Sequence, residues 1–290
     1  MVFMVPGEYD KGQVVAYRCR RNQDGISQHE WESHLHLAGR LAALLGYEFA
    51  GEYDPDQHYD RLYFVPNATL LHADAQRLGI WREDDLFGGC VAAPFAATKS
   101  ITHPLVGPDA TAPAGWSDAF PWAVADTVLQ GVSVFSHADA HKALKRLLVG
   151  GQVRLKPSLG VGGAGQSIVA NAEELDAALA AIDINTLARY GAVLERNLTQ
   201  VTTFSVGQVR LNGVCVSYHG TQKLTANRHG EQVYGGSTLQ VVRGDYTALL
   251  RLPVTTALRL AIDQARRYDA AAVNYLGLLA SRRNYDVAQG

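Results

Sequence analysis

Lys156 lies in the run Val153-Arg154-Leu155-Lys156-Pro157, and Gly160-Val161-Gly162-Gly163-Ala164-Gly165 comes shortly after. A strand-borne lysine beside a glycine-rich loop suits a polyphosphate: the ammonium offsets charge, and glycines let backbone N–H groups approach the oxygens. Three loop types compete, and the order of elements separates them. Residues 160–165 have the G-x-G-x-x-G spacing of a dinucleotide site, and 160–167 approach a P-loop with Gln166 in the lysine position. Both need a helix N-terminus directly after the loop. Ser167-Ile168-Val169-Ala170 is apolar and β-branched, so a strand comes next instead. A protein-kinase glycine loop is strand-loop-strand, but its lysine lies on a later strand and its His-Arg-Asp loop is missing from this chain.

Several elements must hold this loop in place. Asn171 can cap a helix with Glu174 reaching back, and Leu175, Leu179 and Ile182 recur at helical spacing. Val193 to Leu198 reads as a strand running into a connecting segment; Phe204–Leu211 and Val214–Tyr218 read as two strands joined by a type I′ turn at Asn212-Gly213. In the first hundred residues Val14–Tyr17, Leu62–Val65 and Cys90–Ala93 read as strands. A helix with a Ser27/Glu30 capping box runs to about Leu45, and a second spans Leu70–Leu78. That alternation predicts a small parallel sheet. Proline and glycine make Thr102–Trp122 a linker or surface loop, and Gly131–Phe135 opens the lysine-bearing lobe.

Strand, lysine, glycine loop, strand and capped helix in this order resemble the ATP-grasp superfamily, and the downstream hairpin is similar to that of glutathione synthetase-like ligases. A closer likeness is to a bacterial family of ATP-grasp-like proteins to which no reaction is assigned. The resemblance implies an α/β fold with α+β lobes: an N-terminal Rossmann-like pre-ATP-grasp domain over 1–97, a lobe with lysine and glycine loop over 98–194, and a second lobe over 195–290. It implies ATP and Mg²⁺ as ligands. Lys156 would hold α and β phosphates, Gly162, Gly163 and Gly165 would cover β and γ, and Lys99 in Thr98-Lys99-Ser100 would be a first phosphate-facing lysine. In the hinge Glu195 would meet the adenine amino group, with backbone near Leu198 reading the purine edge. Arg228 and Lys223 are the cations for the reacting phosphoryl or acyl-phosphate, within Asn227-Arg228-His229-Gly230 and its neighbourhood, although surface charge also accounts for them. Asp286 would bind metal.

The activity so implied is an ADP-forming ligase joining a carboxylate to an amine or thiol through an acyl-phosphate. An ATP-grasp-type kinase and an inactive nucleotide-binding module stay open. Two departures keep the inactive module open. Val201-Thr202-Thr203-Phe204 lacks the acid that related ligases place for the ribose, and the second metal strand, with its Glu-x-Asn pattern, does not appear before Gly290. The C-terminal lobe is therefore expected to be incomplete.

Composition bounds this reading. With 290 residues, 47% hydrophobic, the chain is long enough for one large or two ordinary cores. A net charge of -2 gives no basic footprint for nucleic acid, and no apolar run approaches a membrane span, so cytoplasmic residence is expected; the resemblance implies small-molecule carboxylate and amine substrates, and a homodimer stays open. The 3 cysteines, Cys19, Cys90 and Cys215, are too scattered for a disulfide framework or metal knuckle. His29, Glu30 and His34 miss the H-E-x-x-H spacing by one residue, which argues against zinc.

Overall fold

Val14, Val15 and Ala16 form an unbroken apolar run, the pattern of a strand covered on both faces, and each is fully buried at the centre of β1 (Gln13–Tyr17). They are seen in a computed structural model that describes residues 12–19, 26–160, 165–226 and 232–290. Ser27 starts α1 (Gln28–Leu45): the Glu30 amide donates to Ser27 Oγ at 3.2 Å and the Glu30 carboxylate accepts from the Ser27 amide at 2.8 Å. Gly46, at φ 70°, ends it. β2 (Glu48–Glu52) and β3 (Leu62–Pro66) flank β1 in a parallel sheet of order β2-β1-β3. The expected small parallel sheet is therefore present.

The next stretch differs from the expectation. Leu70–Leu71 is extended (β4), and the helix is confined to α2 (His72–Arg77) before Gly79 turns the chain at φ 74°. The strand expected at 90–93 is β5 (Gly89–Val91), and it lies outside the parallel sheet. It lies between β4 and a segment far along the chain, where Leu279 and Ala280 pair with it antiparallel. A methyl group at Gly89 would sit 3.2 Å from Ala280 Cβ, so glycine permits that close approach.

Further along come α3 (Ala119–Val124), β6 (Gly131–Val134), α4 (His137–Leu147), β7 (Val153–Pro157), β8 (Ser167–Val169), α5 (Ala172–Ala180), α6 (Ile184–Tyr190) and β9 (Ala192–Arg196). The hairpin strands β10 (Thr202–Leu211) and β11 (Val214–Ala226) precede β12 (Gln232–Arg243), α7 (Tyr246–Leu250), α8 (Thr256–Leu276), β13 (Leu279–Ala280) and β14 (Arg282–Gln289). Asn212 at φ 47° and Gly213 at φ 71° make the turn between β10 and β11, as the Asn-Gly pair predicts.

The chain forms two compact units: Met1–Cys90 with Gln208–Val216 and Leu279–Arg283, and the remainder. In the second unit an antiparallel sheet of order β6-β9-β7-β8 has two distinct faces. Val132, Val134, Val153, Leu155, Ala192 and Leu194 point into a core shared with Leu144 and Leu147 of α4 and Leu175 and Leu179 of α5. Strand alternation sends their neighbours the other way. A second sheet, β12-β11-β10-β14, buries Val206, Tyr285 and Val287 against Tyr246 and Leu249 of α7 and Ile262 of α8. Among the described residues no helix is long and apolar enough to cross a membrane.

Candidate functional site

The face of the β6-β9-β7-β8 sheet turned from the core carries the polar residues. Register places Gly131, Glu195 and Arg154 in one cross-strand row and Ser133, Val193 and Lys156 in the next. Lys156 and Glu195 thus stand diagonally on neighbouring strands, within reach of long side chains. They form an ion pair.

Glu195 is 7% exposed. Burial by itself would raise its carboxyl, but a hydrogen bond with His103 and the charge and hydrogen bond of Lys156 outweigh it, and the group is held below the ordinary glutamate range. His103 Nε2 lies 3.4 Å from Glu195 Oε2. Arg154, facing Glu195 in the register, sends its guanidinium elsewhere: Nε and Nη2 donate to Asn197 Oδ1 at 3.0 and 2.7 Å, and Nη1 to Gln166 Oε1 at 3.3 Å.

Lys99 enters from a short 3₁₀ turn, Lys99–Thr102, capped by Thr98, whose Oγ1 accepts from the Ser100 amide at 3.2 Å. Its ammonium donates to the carbonyls of Pro157 at 3.1 Å and Gly160 at 2.7 Å. Those carbonyls are the base of the glycine loop. Burial lowers the Lys99 ammonium below its ordinary range, Lys156 pushes the same way and Glu195 opposes. The hydroxyls of Ser100 and Ser158 bond each other; Ser158 Oγ also donates to Gly191 O at 2.5 Å, and Ser133 Oγ to Ser100 O at 2.5 Å. These bonds stitch the turn, the end of β7 and the start of β9 together.

At the far side of the loop Gly165 sits at φ 71°, and a methyl there would meet Pro157 Cγ at 3.3 Å. Gly162, Gly163 and Arg228 lie outside the described residues. Leu198 is half-buried just past β9.

The second sheet carries its own polar chain: Gln222 Nε2 donates to Ser205 Oγ at 3.0 Å, Ser205 Oγ to Asp286 Oδ1 at 3.1 Å, and Asn284 Nδ2 to the same oxygen at 3.2 Å. Asp286 is exposed on β14, and among the described residues no cluster of three or more His, Cys, Asp or Glu gathers around it. A single exposed carboxylate still fits Mg²⁺, which takes one or two carboxylates and completes its shell with waters and phosphates. Lys223 is exposed on β11, where strand alternation turns it to the face opposite Gln222.

The structure thus brings together Lys156, Glu195 and Lys99, with Gly165 at the loop's end. Sequence reasoning missed His103, Arg154 and the Ser100–Ser158 bond. Arg154 shares a strand face with Lys156 and could have been found by alternation; His103 is the extended residue just past the turn that begins at Lys99, a weaker signal.

D-alanyl-alanine synthetase A from Vibrio cholerae O1 biovar eltor matches with a TM-score of 0.56 at 12% identity, over 96% of this chain and 84% of that one. VanG D-Ala:D-Ser ligase from Enterococcus faecalis matches with a TM-score of 0.50 at 11% identity, over 95% and 85%. This likeness shows the ATP-grasp fold. No curated protein matches the chain. A family described as "Protein of unknown function (DUF3182)" matches residues 15–290, and the chain belongs to it.

Proposed function

We propose that this protein binds ATP and joins a small carboxylic acid to an amine or thiol, releasing ADP. The observation that carries the reading is the pairing of Lys156 with Glu195 on the polar face of a sheet whose strand β7 leads into the glycine loop, with Lys99 at the loop's base.

Phosphoryl transfer asks the protein mainly for alignment and charge neutralisation. Lys156 supplies a cation for the α and β phosphates, and the backbone amides of 160–165 cover β and γ. Glu195 accepts from the adenine amino group. A carboxylate oxygen of the acid attacks the γ phosphorus as the bond to the β-phosphate oxygen breaks, giving an acyl-phosphate and ADP. The amine or thiol then attacks the acyl carbon, phosphate leaves, and the nucleophile gives up its proton. Arg228 steadies the acyl-phosphate, with Lys223 as a second cation in that half of the chain. Asp286 is the residue that would hold Mg²⁺, whose charge would offset that of the phosphates. Closure of the loop keeps water from the intermediate.

The test has two steps. Calorimetry should give saturable ATP binding that weakens in Lys156→Ala. ADP release should then require one acid and one acceptor from a panel of carboxylates, amines and thiols. ADP release with the acid alone would identify a kinase, and no ATP binding would end the proposal.

A further inference from the structure

His103 is 2% exposed and sits one bond away from the proposed nucleotide site. The two oxygens of Glu195 have different partners: Oε1 pairs with Lys156 and Oε2 lies 3.4 Å from His103 Nε2. Other charged groups are accounted for. Lys99 acts on Glu195 from its 3₁₀ turn, and Arg154, across the register, is turned to Asn197 and Gln166. From β6 comes only Gly131, directly opposite Glu195. A methyl group at Gly131 would lie 2.7 Å from His103 Nε2, far inside contact distance. Glycine at 131 is what lets the imidazole reach the carboxylate.

A buried carboxylate needs both oxygens satisfied. A lysine on a flexible stem neutralises the charge but leaves the second oxygen's direction open. A ring packed in one place fixes it. We propose that His103 is a positioning residue: donating from Nε2 to Glu195 Oε2, it holds that carboxylate ionised and oriented, and thereby sets Lys156 for phosphate. A neutral imidazole with its proton on Nε2 suffices. The effect on phosphate rests on ATP being the ligand; the hold on Glu195 does not.

The experiment tracks the Glu195 carboxyl by ¹³C NMR on glutamate-labelled protein, its resonance identified by its loss in Glu195→Gln. In wild type and in His103→Gln, which keeps an N–H donor, Glu195 should titrate below the ordinary glutamate range. In His103→Leu it should titrate at higher pH. Gly131→Ala, which displaces the imidazole while keeping His103, should move it the same way, and decides the matter if the leucine variant does not fold. ATP affinity should fall about tenfold in His103→Leu and recover in His103→Gln. A Glu195 titration unmoved in His103→Leu and Gly131→Ala overturns the proposal, as does an equal shift in His103→Gln and His103→Leu. Failure of wild type to bind ATP removes the ligase reading alone, and the titration still decides the role of His103.

Discussion

The Lys156 ammonium meets the Glu195 carboxylate diagonally across β7 and β9, although Lys156 faces Val193 in the register and Glu195 faces Arg154. The pair gives each group a fixed partner: the ammonium is held on the polar face of the sheet, and the acid is kept charged in a buried place.

Lys156→Ala should therefore show two effects. Loss of a charge-assisted phosphate contact should weaken ATP binding by roughly 10- to 150-fold, and leaving Glu195 without its ion-pair partner should cost about 1–3 kcal/mol of stability. Calorimetry and urea unfolding read the two separately. Unchanged ATP affinity would remove Lys156 from the site.

Stability should depend on pH through Glu195. Its folded-state pKa lies below its unfolded value, so its contribution is complete above about 4.5 and lost as pH falls through the folded value. The stability gap between wild type and Glu195→Gln should thus narrow as urea unfolding is repeated below that pH. A constant gap would place the acid sensitivity elsewhere.

Gly191→Ala should destabilise the second unit. Gly191 has φ 75°, and a methyl there would lie 2.8 Å from both Phe135 Cε1 and Ser100 Oγ, while its carbonyl accepts from Ser158. A cost of about 1–3 kcal/mol is expected from strain and overpacking together. An unchanged melting temperature would show that the ring and hydroxyl yield freely.

Asp286→Asn tests the metal assignment. The side chain is exposed, so the melting temperature should stay put, while the gain in ATP affinity on adding Mg²⁺ should shrink several-fold. An equal Mg²⁺ effect in both proteins would move the metal away from β14.

Much of this arrangement is legible in local pattern. Alternation in Val153-Arg154-Leu155-Lys156 sets which side chains enter the core, Asn171 caps α5 with its side chain accepting from the Glu174 amide at 2.9 Å, and Asn212-Gly213 demands positive φ. The hidden part depends on distant partners. Nothing near His103 in the chain says that Gly131 leaves room for its ring, and nothing near Gly89 announces Ala280. β2 escapes a reading of local pattern because Glu48-Phe49-Ala50-Gly51-Glu52 has a single large apolar residue; its place is set by pairing with β1.

Lys99 holds two carbonyls at the start of the glycine loop, and an ammonium has three N–H bonds arranged as a tripod. Two legs are planted on Pro157 and Gly160, which leaves one for a ligand oxygen, so any phosphate arriving there is tied mechanically to the loop's first residue. A planar guanidinium cannot divide its donors among three directions of a tripod. Lys99→Arg, which preserves the charge, would therefore not reproduce the two bonds to Pro157 and Gly160 together with a third direction.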